Sequence, residues 1–299
     1  MLNILLLPVS ICIGVLCSSV NNHFSKKQLN GLRGGFLYSA FSAAVSACLL
    51  LLLMRPYTWP SGYTLGLGAL YGTATVLSQI LFLLALSRGP LSLTTMLTTS
   101  SMPITTLVCA LFWKEAVSLS QWIGMSVMAF ALVLCVGRQQ KTGGKSANIL
   151  WLLLCAGVVL LGVLVGVLQK NHQLSPYKGE LDAFLVTGFL VGASLMGLSF
   201  AVVKPVQREA VFQTTAHRIV LPAAAVIYGL CSGTIHKINM YLVGVLPSVL
   251  FFPVNNGGSL LLSMVVSVTV FREKLTEKQV VAIALGIAAI LLLGNVFSF

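Results

Sequence analysis

Apolar residues run along this chain in ten long stretches separated by short polar breaks. The stretches fall at roughly residues 2–22, 32–54, 62–87, 91–113, 119–137, 148–170, 182–203, 219–246, 249–270 and 276–297. About 20 consecutive apolar residues suffice for a helix to cross a bilayer, so each stretch predicts a spanning helix. Breaks such as RPYTWPS, SRGP, KEAVS and REKLT are tight turns. The longest links, NNHFSKKQLNGLRG, GRQQKTGGKSAN, QKNHQLSPYKGELD and VKPVQREAVFQTTAHR, are too short to be soluble domains. The first stretch lacks a basic n-region and is long enough to remain as a span, so no cleaved signal peptide is expected. The pattern predicts an all-α integral membrane protein with ten transmembrane helices.

Composition agrees. Of 299 residues, 57% are hydrophobic and 8% charged, with mean hydropathy +0.97; a soluble domain carries about 25% charged residues. The net charge of +12 would point to nucleic acid in a soluble protein. Here the Lys and Arg residues gather at helix ends and in loops, where anionic lipid headgroups account for them. Nucleic acid is therefore not an expected partner, and membrane lipids are. Odd-numbered loops hold thirteen basic residues and even-numbered loops four, which on the positive-inside rule places both termini outside.

The two halves resemble each other. ALFWKEAVSLSQWIGM (110–125) lies on TVFREKLTEKQVVAIA (269–284) at an offset of 158 with a one-residue slip, pairing Glu115 with Glu273 and Gln121 with Gln279. Ser118 with Gln121, and Thr276 with Gln279, have capping-box spacing. Nearer the start an offset of 148 pairs Phe36 with Phe184, Ser39 with Thr187 and Phe41 with Phe189. Residues 1–147 and 148–299 then form two repeats of five spans each, together one integrated transport domain. An odd number of spans per repeat inverts the second copy, and inverted repeats are a mark of secondary transporters with a substrate site near the midplane.

Several chemistries are absent. The six acidic residues, Glu115, Glu180, Asp182, Glu209, Glu273 and Glu277, all lie at or beyond helix ends, whereas a pump for lipophilic cations needs a buried acid. No metalloprotease, paired-aspartate or Ser/His/Asp pattern is present, so the chain is not read as an enzyme. The seven cysteines sit inside spans with no C-x-x-C spacing and read as packing residues, and no metal or cofactor is expected. TGGKSAN ends like a phosphate loop, but Gln139 stands where the first glycine is needed.

SGTIHKINMYLVGVLP (232–247) carries the most telling charge, Lys237 in mid-span. Helical spacing puts Gly233, Lys237 and Tyr241 on one face. One reading is a cation lining a central cavity, holding an anionic or zwitterionic group or exchanging a proton; the other is a long side chain reaching for the interface. His236 points elsewhere and reads as a hydrogen-bonded packing residue. The repeat counterpart of Lys237 is Gln79, with Thr75 one turn before it. Thr98, Ser101 and Thr105 share their spacing with Asn256, Ser259 and Ser263, so two matched polar stripes face either a common cavity or neighbouring helices. Asn255, Asn256, Gly257 and Gly258 permit local unwinding, and Pro103 and Pro253 mark kinks in spans four and nine. Asn21 and Asn22 align with Gln169 and Lys170 as a polar ring at a cavity mouth. Gly162 with Gly166, and Ala282 with Gly286, read as tight helix packing.

ALSRGPLSLTTMLTTSSMPITTLVCALFWKEAVSLSQWIGMSVMAFALVL resembles the characteristic segment of the drug/metabolite transporter superfamily, EamA-like branch: a G-P turn, a small-residue helix, a Glu-containing loop and a Gln-Trp helix start. LPSVLFFPVNNGGSLLLSMVVSVTVFREKLTEKQVVAIALGIAAILLL repeats it. The resemblance implies ten helices in two inverted repeats, alternating access around a central cavity, and both termini in the cytoplasm, against the charge count. H-K-I-N in span eight is more polar than that position usually is in the family. The expected function is secondary active transport of a small polar or anionic metabolite in a bacterial inner membrane, with protons as a candidate coupling ion, by a monomer or homodimer. A broad-specificity drug exporter and a non-transporting scaffold are the alternatives. Lys237, Gln79, Thr98, Ser101, Asn256, Ser259 and Tyr241 are the expected substrate contacts, with His236, Thr75, Asn255 and Asn22 behind them or at the mouth.

Overall fold

A computed structural model describes residues 5–17, 31–54, 59–89, 94, 97–98, 100–135, 149–203, 215–269 and 277–294. Among them 91% are helical and none lies in a strand, so the fold is all-α. The helices are α1 (Leu5–Cys17), α2 (Gly31–Leu53), α3 (Gly62–Arg88), α4 (Ser101–Phe112), α5 (Leu119–Cys135) and α6 (Ile149–Leu174). They continue with α7 (Leu181–Val202), α8 (Thr215–Val245), α9 (Ser248–Phe252), α10 (Gly258–Thr269) and α11 (Glu277–Leu293). The segments Arg33–Leu53, Gly62–Arg88, Ile149–Leu174 and Lys178–Val202 are long and apolar enough to cross a membrane.

Helix starts follow local chemistry. The Ser118 amide donates to Gln121 Oε1 (3.1 Å) and the Gln121 amide to Ser118 Oγ (3.3 Å). This is the reciprocal capping box expected from the sequence, and it starts α5. Its repeat counterpart at Thr276 lies outside the described residues.

Span nine departs from a single helix. It is α9, a π-helical turn over Pro253–Gly257, then α10. Pro253 has no amide to donate and its ring crowds the carbonyl four residues back; a wider turn relieves both. Within that turn Asn255 is buried and Asn256 is exposed.

The chain divides into two compact units, each drawing on both halves of the sequence. One comprises Met1–Ile11, Leu77–Lys170 and Leu242–Phe299. In it α5 packs along α11, and α4 against α9. α6 lies close on α4, because a Cβ at Gly162 would sit 3.1 Å from Ser101 Cβ and one at Gly166 would strike Thr105 Cγ2. Ala282 is buried, and a side chain at Gly286 would meet Leu261. Both small-residue pairs therefore serve helix packing. Pro103 and Pro253 line one small apolar void with Met102, Met125, Met128 and Ala129.

The other unit comprises Cys12–Val76 and Asn171–Tyr241. Here α2 packs along α7. α8 meets α2 where Ser46 Oγ donates to the Gly229 carbonyl at 2.7 Å. α3 meets α7 backbone to backbone: a Cβ at Gly68 would stand 2.7 Å from the Phe184 carbonyl oxygen, and one at Gly72 would run into that of Gly188. Cys12, Cys17, Cys48, Cys109, Cys155 and Cys231 are free thiols; Cys17, Cys109 and Cys155 are buried, whereas Cys12 and Cys48 are exposed.

A side chain at Gly72 has only backbone to displace. Gly72→Val should therefore lower the unfolding free energy by about 1–3 kcal/mol, the usual cost of overpacking. Thermal unfolding of the purified protein reads this as a fall in midpoint, while Gly66→Ala, where a Cβ meets nothing within 4 Å, should leave it in place.

Candidate functional site

Lys237 of α8 is half-buried and is held by a carboxylate. Its Nζ stands 2.8 and 2.9 Å from the two oxygens of Asp182, in the first turn of α7. Its side chain is 34% exposed and that of Asp182 19%. On the sequence alone no acid was expected to answer Lys237; a helix-start residue reaches it across 55 positions of chain. Beside it, His236 Nδ1 lies 3.2 Å from the Tyr71 hydroxyl of α3, and its ring meets the Phe189 ring edge-on. His236 is thus hydrogen-bonded to Tyr71 and packed against Phe189. Tyr71 stacks on Phe184 (centroids 5.1 Å apart), two residues beyond Asp182. The Gly68/Gly72 approach of α3 to α7 puts this aromatic pair there.

The other expected contacts are placed as follows. Gly233 packs on Ser46 of α2, while Tyr241 is 43% exposed, so the face through Gly233, Lys237 and Tyr241 runs from a helix contact to an exposed phenol. In the same unit Thr75 is exposed and its hydroxyl donates to the Tyr71 carbonyl.

The remaining ones belong to the first unit. Gln79 is exposed on α3. Thr98 is half-buried and donates to the Thr94 carbonyl (2.9 Å), and Ser259 donates to that of Asn255 (2.6 Å). These are the bonds hydroxyls make to their own helix. Ser101 is half-buried against Gly162. Asn256 is exposed, and its neighbour Asn255 accepts from Ser10 Oγ at 3.3 Å. Of the matched stripe, Asn256 lies in the π-turn and Ser259 and Ser263 in α10. Asn21 and Asn22 lie outside the described residues.

The first unit holds a second charge cluster. α4 ends in a Schellman motif, with the Glu115 amide bonded to the Ala110 carbonyl (2.9 Å) and the Lys114 amide to that of Leu111 (3.3 Å). Lys114 takes the left-handed position, φ 51°, where glycine is usual. That turn aims Glu115 at the break between α8 and α9. Glu115 Oε2 accepts from the Ser248 amide (2.7 Å) and Oε1 from its hydroxyl (2.9 Å), at the start of α9. Lys170 Nζ pairs with Glu115 Oε1 at 3.0 Å and donates to the Val243 and Leu246 carbonyls at the end of α8 (3.1 and 3.2 Å). Lys170, read in the sequence as part of a polar mouth, is instead 4% exposed and takes the carbonyls that a helix end leaves open.

No protein-family model matches the sequence, and no curated protein matches it. Among solved structures 29 chains match. A crystal structure of a protein is 13% identical, with a TM-score of 0.72, over 96% of this chain and 99% of that one. At that identity the likeness is one of fold.

Sequence reasoning missed Asp182, Tyr71 and the Glu115–Lys170 pair as site residues. One signal was available for the last: Lys170 stands at the end of an apolar span, and a lysine buried there needs a carboxylate. Lys170→Met leaves Glu115 uncompensated and should cost about 3–5 kcal/mol of stability. The double variant Glu115→Gln/Lys170→Met should lose much less, which a double-mutant cycle on thermal unfolding reads directly. Lys114→Gly, freed of left-handed strain, should raise stability by about 1 kcal/mol.

Proposed function

We propose that this chain is a secondary active transporter resembling the EamA-like branch of the drug/metabolite transporter superfamily. It has ten transmembrane helices in two inverted five-helix repeats and sits in a bacterial inner membrane. It carries a small polar or anionic metabolite by alternating access through a central cavity between the repeats. The observation that carries this reading is the Lys237–Asp182 pair, since ionisable residues within membrane helices mark substrate or ion paths. The packing of α2 on α7 and of α5 on α11 supports the repeat, because each pair joins counterpart helices of the two halves.

The pair also defines how a solute engages. With Asp182 at 2.8 Å, the charge of Lys237 is already answered from within the chain. An anionic group gains Lys237 only by displacing Asp182, so binding exchanges one ion pair for another and releases the first turn of α7 from α8. That exchange is the ligand-dependent step that alternating access requires.

The test is flux into liposomes containing only this protein, against a panel of anionic, zwitterionic and cationic solutes. Saturable uptake of an anionic or zwitterionic solute is expected. Lys237→Met should weaken it by roughly 30-fold or more, since truncating one partner of a hydrogen-bonded charge pair costs about 2–5 kcal/mol. Asp182→Asn removes the competitor and should tighten the apparent affinity for the anion. Normal uptake by Lys237→Met would sink the site assignment, and the folded state of Lys237→Met/Asp182→Asn checks that no loss comes from an orphaned carboxylate. Flux of lipophilic cations only, indifferent to these changes, would make the protein a drug exporter.

A further inference from the structure

Behind the Lys237–Asp182 pair lies a buried histidine that substrate binding does not use. His172, near the end of α6, is 0% exposed, and its ring stacks on Phe184 at 4.7 Å. Its Nε2 stands 3.2 Å from Thr64 Oγ1, also 0% exposed. Thr64 Oγ1 is 3.0 Å from Ser61 Oγ, and Ser61 Oγ is 2.7 Å from Glu180 Oε2. Three hydrogen bonds thus join a half-buried carboxylate to a fully buried imidazole.

Hydrogen counting limits the arrangements of the chain. An ionised carboxylate only accepts, and a hydroxyl has one hydrogen to give. Ser61 Oγ is placed to donate to Thr64 Oγ1 or to Glu180 Oε2, one at a time; in the arrangement where it donates to Glu180, Thr64 can donate to Ser61 and His172 Nε2–H to Thr64. Nδ1 is the other ring nitrogen, 3.5 Å from Gln173 Nε2. Glu180 is the charged group facing the chain; α3 contributes Ser61 and Thr64, and α7 the Phe184 ring.

We propose that Glu180, Ser61 and Thr64 form a proton path to His172, making His172 a proton-binding site and the proton the coupling ion. In one transfer the Nε2–H bond of a protonated His172 breaks as Thr64 gains that hydrogen. Thr64 passes its own to Ser61, and Ser61 passes its own to Glu180. Imidazolium and carboxylate become imidazole and carboxylic acid, and no other reactant is needed. The reverse sequence loads His172. Coupling to solute follows from position, a step that rests on the transporter reading above. Glu180 and Asp182 flank the start of α7, two residues apart. A solute that frees Asp182 from Lys237 releases the segment that also holds Glu180 against Ser61.

Thr64→Val separates a path from a helix cap. It deletes the hydroxyl at nearly constant size and keeps the Thr64 amide that donates to Ser61 Oγ at 3.2 Å. The measurement is hydrogen exchange of the His172 ring N–H with water, by nitrogen-15 NMR of histidine-labelled full-length protein in lipid nanodiscs. The resonance is assigned by its loss in His172→Gln. Rapid exchange is expected in the parent despite complete burial. Thr64→Val should slow it by about 100-fold or more, the lower end of what a positioned proton-transfer group contributes. Slow exchange in the parent overturns the path, as does fast exchange in Thr64→Val. Neither result depends on flux, so failure of the path and failure of the transporter reading are told apart. For a solute that passes the flux test, an imposed pH gradient should drive accumulation in the parent and not in Thr64→Val; accumulation by the variant overturns the coupling role.

Discussion

A backbone in apolar surroundings must have its polar groups satisfied from within, and a break between two helices exposes the groups hardest to satisfy. At the end of α8 the carbonyls of Val243 and Leu246 have lost their helical partners, and at the start of α9 the amide of Ser248 has none. One lysine and one carboxylate answer all three, with Lys170 on the carbonyls and Glu115 on the amide and hydroxyl of Ser248. Each charge also suits the helix end it meets, cation at the C-terminus and anion at the N-terminus. Replacing a buried pair by apolar residues is often neutral, so the pair is best understood by its bond to the break. It satisfies the Val243 and Leu246 carbonyls and the Ser248 amide on either side of Pro247.

The same economy explains where the other charges lie. Glu180 accepts from the amide and hydroxyl of Ser61 at the start of α3, and Asp182 sits in the first turn of α7. A chain with six acidic residues in 299 uses these three at helix starts, where the dipole and open amides favour negative charge. The glycines do complementary work. Gly68, Gly72 and Gly188 bring α3 and α7 into backbone contact, and only at that separation do Tyr71, Phe184, His172 and Thr64 lie within reach of one another.

Hydropathy made the helices legible, and local motifs marked some of their ends. The spans predicted at 32–54, 62–87 and 182–203 are Gly31–Leu53, Gly62–Arg88 and Leu181–Val202. The capping box at Ser118 and Gln121 follows from residues three apart, and the packing of Gly162 and Gly166 from residues four apart. What stayed hidden depends on distance along the chain or on irregular backbone. Lys170 meets Glu115 and Lys237 meets Asp182 across 55 residues each, and no periodicity within a helix announces either contact. The Schellman turn was masked because Lys114, not glycine, occupies its left-handed position. A π-turn, invisible to a 3.6-residue period, interrupts span nine at Asn255 and Asn256.

Lys237 therefore has a different meaning from the one its sequence position suggested. An isolated lysine in a membrane helix would be a standing positive charge, drawing any anion and costing several kcal/mol to keep dry. A lysine already paired is conditional, because its charge becomes available only when Asp182 yields. Among the described residues Asp182 has no second cation, and its helix start is shared with Glu180, whose partners Ser61 and Thr64 lead to His172. In the short stretch from Glu180 to Asp182 an ion pair and a hydrogen-bonded chain are thus held by the same backbone. Any displacement of that stretch is felt by both.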